Sequence, residues 1–190
     1  MARRRQLNRE LVIDKAAALA DEQGSLTAVS LTSLATALQI RPPSLYNHIA
    51  NLDDLVSGMT LFAMRQLIAD LRQATVGLVG QEALRAMADA YRGFAGRHPG
   101  IYPLTIRAPE PEETELVALS QDLVQMLLLL MASLGQQGPD AIHAIRGLRA
   151  ILHGFVSLEA ADGYKMTLDK DESFRRLIDT YLDGLTEQVN

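Results

Sequence analysis

The sequence predicts an all-α protein, and three observations predict it. Apolar residues recur at helical spacing nearly everywhere, and no stretch alternates convincingly with period two. The breaks between the periodic segments are punctuated by Gly and Pro, as at His98-Pro99-Gly100, Ala108-Pro109-Glu110-Pro111, Gly135 to Pro139 and Asp162-Gly163. With 190 residues, 48% apolar and 22% charged, the chain can bury a proper core and does not have the composition of a disordered one. It contains no cysteine, which excludes disulfides and thiolate metal sites and points to a reducing compartment. A small N-terminal bundle of three helices, residues 1–51, is expected ahead of a larger helical domain, residues 52–190.

Each element has its own justification. The first helix runs from about Asn8 to Gln23, with Leu11, Val12, Ala16, Leu19 and Ala20 on one face and Gly24 ending it. Ser30 is an N-cap for a short helix, Leu31 to Leu38, whose inward positions are Leu31, Leu34, Ala35 and Leu38. Gln39-Ile40-Arg41 forms the turn. Pro42 and Pro43 suit the start of a third helix, because their missing N–H groups lack intrahelical partners there anyway, and that helix ends near Ile49. Asn51 caps a long helix from Leu52 to about Ala74. Further helices are expected at Gln81–Arg97, Ile101–Arg107, Glu112–Leu134, Asp140–Ala161 and Glu172–Glu187.

Charge is unevenly spread. The net value is −5, yet residues 1–50 carry six Lys/Arg against four Asp/Glu, while the remainder carries twelve against nineteen. A mildly basic front on an acidic body suits a chain that meets a polyanion with its front only. Met-Ala-Arg-Arg-Arg-Gln lacks the apolar stretch of a signal peptide, and the longest apolar run, Met126 to Ala132, falls short of the roughly 20 residues of a bilayer span. A soluble, cytoplasmic protein without a membrane partner is expected.

Two short helices joined by a tight turn and braced by a third make a helix-turn-helix, whose second helix enters a major groove of DNA. On the candidate recognition helix, Leu45 and Ile49 lie within about 40° of each other and form the buried stripe. Pro43, Ser44 and Asn47 lie opposite, and Tyr46 and His48 flank the stripe. These are short or flat hydrogen-bonding groups of the kind that reach base edges and phosphate oxygens. Arg41 in the turn, Thr32 at the start of the supporting helix, and the Arg3-Arg4-Arg5 arm are candidate backbone contacts. Spacing alone also allows a structural helix opened by Pro42-Pro43, with Tyr46 and His48 half-buried against the bundle.

Residues 9–60 resemble the N-terminal domain of TetR-type transcriptional regulators, with "SLTSLATALQIRPPSLYNHIANLDDLV" matching the supporting helix, turn and recognition helix; "SLYNH", Ser44 to His48, is the most specific part. The second half resembles the subgroup whose C-terminal domain carries a Trp-His-Gly signature, here Leu152-His153-Gly154-Phe155. The resemblance implies DNA contacts from Pro43, Ser44, Tyr46, Asn47 and His48, with Thr32 and Arg41 beside them. Three departures matter. Gln39 replaces the usual turn glycine, which costs on the order of 1 kcal/mol if that position needs positive φ. Ala50 and Leu52 stand where many members place Lys, and losing two phosphate contacts flattens the salt dependence by about 0.9 per contact. Leu152 replaces the Trp of the signature.

The resemblance also implies a homodimer through the last two long helices and a small-molecule effector site in the larger domain. Stripes on those helices agree with a dimer surface: Leu152 and Val156, with Arg149 beside them, on one, and Leu177, Tyr181 and Leu185 on the other. They also agree with a closed monomer core. Phe62, Phe94, Tyr102, Met126, Met131 and Phe155 are candidate lining for an apolar effector cavity, and Arg107 and His153 are its candidate polar contacts.

Enzyme readings find no support in the motifs. The four histidines are scattered, Asp140 and His143 form a single i, i+3 pair without further carboxylates, and there is neither a nucleophile elbow nor a Gly-rich phosphate loop. No metal and no cofactor is expected. The sequence therefore reads as a ligand-responsive, dimeric DNA-binding regulator, a repressor released from a pseudo-palindromic operator by a small molecule. The alternative is a helical ligand-binding or protein-interaction module with weakened DNA binding.

Overall fold

The computed structural model describes residues 7–187, and all regular structure among them is helical. The helices are α1 (Arg9–Glu22), α2 (Leu31–Ala37), α3 (Leu52–Thr75), α4 (Gly80–Arg97), α5 (Thr114–Ala132), α6 (Gly138–Ala160) and α7 (Lys170–Glu187), with short 3₁₀ turns at Leu26–Ala28, Pro42–Asn47 and Tyr102–Thr105. The chain packs as two compact units. One runs to Gln66 and adds Arg97–Leu116; the other joins Leu67–Gly96 to the chain from Val117 onward. The Arg3-Arg4-Arg5 arm lies outside the described residues.

In the first unit, helix ends follow the chemistry of their caps. Asn8 Oδ1 accepts the Leu11 N–H at 2.9 Å, and Asn51 Oδ1 accepts that of Asp54 at 2.8 Å. Ser30 and Ser33 form a reciprocal capping box on α2, each hydroxyl accepting the other residue's N–H. Both α1 and α2 end in Schellman motifs. After α2, Gln39 N–H donates to Thr36 O and Ile40 N–H to Ala35 O, which places Gln39 at φ +56°. The position does require left-handed backbone, and glutamine occupies it. Val12, Ala16, Ala20, Leu34, Leu45, Leu55 and Met59 are fully buried and form this unit's core.

Two elements differ from the sequence expectation. Pro42–Asn47 is a six-residue 3₁₀ turn rather than an α-helix reaching Ile49, and Tyr102–Thr105 replaces the expected helix over 101–107. The reason is shared. Prolines at the first turn remove donors, and a short segment closes i to i+3 bonds more readily than it nucleates an α-helix. Ser44 N–H to Arg41 O and His48 N–H to Leu45 O are the bonds that result.

In the second unit, Leu84, Phe94, Met131, Leu148, Phe174, Ile178 and Leu182 are buried. Arg92 on α4 joins α6 and α7. Its Nε and Nη2 meet Glu159 at 2.9 and 2.7 Å, its Nη1 lies 2.9 Å from Asp171, and its guanidinium lies over the Phe155 and Phe174 rings at 5.2 and 5.0 Å. Gln136, buried, donates to Leu185 O at 2.8 Å and pins the end of α7.

Helix α5 corrects the estimate based on its uninterrupted apolar run. At 19 residues and mean hydropathy 1.5 it is long and apolar enough to cross a membrane by length and composition, because a few polar residues do not break such a helix. Only 11% of that stretch is buried, and its Glu115 and Asp122 pair with Arg65 and Arg72 of α3.

Candidate nucleic-acid interface

The seven residues expected to touch DNA lie on α2 and on the run that packs against it. Leu45 and Ile49 are buried beneath, at 0% and 2% exposure, so the residues between them are held outward. Thr32, Arg41, Pro43, Tyr46 and Asn47 are exposed, Tyr46 at 57%, while Ser44 and His48 are half-buried. A tyrosine that open, on a segment anchored by two core side chains, is not a packing residue. It is an aromatic hydrogen-bonding group presented to solvent. Ala50 and Leu52 are exposed as well.

A residue counted in the sequence only as a basic charge takes part in this geometry. Arg9 at the start of α1 forms a fork with Asp54, Nη1 to Oδ2 and Nη2 to Oδ1, each at 2.7 Å. Its Nη1 also donates to His48 O at 3.2 Å. Asp54 Oδ2 accepts the Ala50 N–H at 2.8 Å. The guanidinium, and then that N–H, hold the Asp54 carboxyl below its usual range, and the carboxylate in turn raises Arg9. The two residues are 45 positions apart, so no local pattern announces them.

The expected effector residues fall in both units. Phe62, half-buried, Tyr102, buried, and Arg107, exposed, belong to the first; Phe94, Met126, Met131, His153 and Phe155 belong to the second. Arg107 forks onto Glu113, with Nη1 to Oε2 at 2.6 Å, and donates to Ala108 O, which braces the turn before α5. That fork, then the Glu110 N–H, holds the Glu113 carboxyl down at about 2. Phe94 and Met131 are fully buried, and Met126 is half-buried. His153 is half-buried, with the Ser157 hydroxyl 3.5 Å from its ring nitrogens. Phe155 borders a cavity of about 230 Å³ under the α6–α7 loop, together with Tyr164, Met166 and Leu168.

Of the expected dimer residues, Leu152 and Val156 at 4% exposure and Leu185 at 7% face the unit's own core, while Arg149 is exposed. Leu177, Tyr181 and Leu185 line an open groove of about 300 Å³ along α6 and α7, with Ile151, Thr180 and Gly184. Tyr181 donates to Ala144 O at 2.5 Å, and Gly147 makes room for it, since a Cβ there would fall 2.6 Å from the tyrosine oxygen.

Residues 84–181 match the family model described as tetracyclin repressor-like, C-terminal domain. The chain is 34% identical over 180 residues to an uncharacterised HTH-type transcriptional regulator, YobS, of Bacillus subtilis strain 168, covering 94% of this chain and 93% of that one. Among solved structures it is similar to the TetR family protein ActR of Streptomyces coelicolor in complex with (S)-DNPA, with TM-score 0.68, 18% identity and coverage of 97% and 99%. It is also similar to BioQ with its double-stranded DNA operator, with TM-score 0.61, 21% identity and coverage of 95% and 99%.

Proposed function

The chain belongs to the TetR family of helix-turn-helix DNA-binding transcriptional regulators, and from that premise we propose that it is a homodimeric repressor released from a pseudo-palindromic operator by a small molecule. The observation that carries the proposal is the run Arg41 to His48, in which Leu45 is sealed in the core while Pro43, Tyr46 and Asn47 stand in solvent. Ser44 and His48 complete that face, and Thr32 and Arg41 flank it with backbone contacts. The functional boundary falls after Asn51, with effector binding and dimerisation assigned to residues 52–190. BioQ was solved on an operator and ActR with a small molecule, and both share this fold, which supports each half of the proposal.

Release comes from a population shift. An effector that prefers one arrangement of the larger domain moves α3, which carries the recognition turn at its start, and the two copies then no longer match both half-sites. A ligand that binds both arrangements equally releases nothing. Exposed, uncharged Ala50 and Leu52 favour a second reading, a helical ligand-binding or interaction module that grips DNA weakly.

Fluorescence anisotropy on the DNA flanking the chain's own gene, against a scrambled duplex at two salt concentrations, separates the two. The repressor reading expects selective binding that weakens with salt, and release by a screened small molecule. Binding that only matches the scrambled duplex refutes the local operator, and absence of binding to a broad genomic fragment pool as well gives the lead to the module.

A further inference from the structure

Resting on that DNA-binding reading, we infer that Arg9 is a positioning residue of the recognition turn: it ties His48 to the start of α3 through Asp54 and does not neutralise a phosphate. By composition Arg9 belongs with the basic front of the chain, where a backbone phosphate is the default partner. Its geometry says otherwise. Both terminal nitrogens are spent on the Asp54 carboxylate at 2.7 Å, and the same guanidinium reaches His48 O at 3.2 Å and, more distantly, Asp54 O at 3.4 Å. A phosphate would have to displace a carboxylate already held in a bidentate fork.

What the fork holds is the linker between the recognition turn and α3. Arg9 takes the carbonyl of His48, and Asp54 takes the N–H of Ala50 at 2.8 Å, so one ion pair fixes both sides of residue 49. Within the turn, Pro42 and Pro43 have no N–H to give, and its N-cap residue Arg41 makes no side-chain capping bond. Its orientation rests on the buried Leu45 and Ile49 and, at its C-terminal end, on this tether. Gly58 lies beside the tether. A Cβ there would fall 2.6 Å from Ile13 Cδ1 and 3.5 Å from Arg9 Nη2, so α1 lies close on α3 at this point. The pair is part-exposed, at 44% and 30%, so it adds little to global stability, and its effect is on geometry.

The test uses the full chain and, as probe, the duplex it enriches from a random-sequence pool, with a scrambled duplex as control and a salt series on each. Arg9→Lys keeps the charge and loses the fork. The inference expects Arg9→Lys and Asp54→Asn each to weaken the enriched duplex on the order of tenfold. The scrambled duplex and the salt slope stay unchanged, and the double variant is no worse than either single one. A phosphate contact gives the reverse pattern: Arg9→Lys binds normally, Asp54→Asn binds more tightly, and Arg9→Ala lowers both duplexes with a slope shallower by about 0.9. Any of those three results overturns the inference. So does loss of the Arg9→Lys fold in circular dichroism, because a tether this exposed leaves the fold standing. Tyr46→Ala is run alongside. If it binds as the unmodified chain does, or if the pool yields no enriched duplex, the DNA-binding reading has failed and the inference with it. If Tyr46→Ala fails to bind while Arg9→Lys succeeds, only the positioning role is lost.

Discussion

Asp21 receives three donors from one short segment: His98 Nδ1 lies 2.7 Å from its Oδ2, and the Gly100 and Ile101 N–H groups donate to its Oδ1 at 3.0 and 3.1 Å. The C-terminal end of α1 is thereby locked to the turn after α4. Gly100 permits the approach, since a Cβ there would fall 2.1 Å from the backbone of Ala20. Asp21→Ala leaves part-buried N–H groups without an acceptor and should destabilise the fold by about 1–3 kcal/mol in urea unfolding. Gly100→Ala should cost more, because backbone rather than a flexible side chain must give way. Equal stability of Gly100→Ala and the unmodified chain would show that the two backbones do not meet as described.

Gln39 marks a second backbone constraint. At φ +56° it holds the position of a Schellman motif that glycine fills without strain, and its side chain is exposed. Gln39→Gly should raise stability by about 0.5–1 kcal/mol, the relief of left-handed strain less the added freedom of the unfolded chain. A lower urea midpoint for that variant counts against the strain.

How legible was this in the sequence? Most helices are, because period-3.6 stripes and the Ser30 and Asn51 caps are local signals. So is the outward set at 41–48, since Leu45 and Ile49 fix which side is inside whether the turn is α or 3₁₀. The type of that turn was not legible, because prolines open both kinds of helix and only the shortness of the segment tips it toward i to i+3 bonds. Nor were Arg9–Asp54 or Asp21–His98, whose partners lie 45 and 77 residues apart and meet only through the fold. The effector region read worst. Phe94 and Met131 have the composition of a cavity wall and also that of a core, and both are fully buried.

In the second unit, Arg92 gathers Glu159, Asp171 and two aromatic faces around one guanidinium. Glu159 is held below its usual range chiefly by that arginine, and Arg92 is raised in return. Arg92→Ala should cost about 1–3 kcal/mol, since it strips a part-buried carboxylate of its fork and the rings of their cap. Arg92→Lys should recover little, because an ammonium cannot serve both carboxylate oxygens and lie flat on Phe155. Full recovery by lysine in thermal unfolding would mean that charge alone matters there.

Glu113 gives a pH prediction. Its carboxyl is held at about 2 by the Arg107 fork, against an ordinary value of 4.5. A depressed carboxyl favours the folded chain above its unfolded pKa, so this contribution is complete above pH 4.5 and falls away as pH drops toward 2. Carbon-detected NMR titration should find the Glu113 midpoint near 2, and Arg107→Ala should bring it most of the way back to 4.5. An unshifted midpoint in the unmodified chain would show that the fork does not persist in solution.

Leu177 tests the proposed dimer surface. It is half-buried in the α6–α7 groove beside Tyr181 and Ile151, so a charge at that position stays solvated in an isolated chain. In a dimer closed over the groove the same charge is buried without a partner, which costs on the order of 3 kcal/mol, or about a hundredfold in dissociation constant. Leu177→Glu should therefore shift sedimentation velocity from dimer to monomer while leaving the helical circular dichroism intact. Operator binding should fall with it, because two recognition turns at fixed spacing are what a pseudo-palindrome reads. A Leu177→Glu protein that still sediments as a dimer would place the interface elsewhere, and one that is monomeric yet binds the operator undiminished would break the link between dimerisation and recognition.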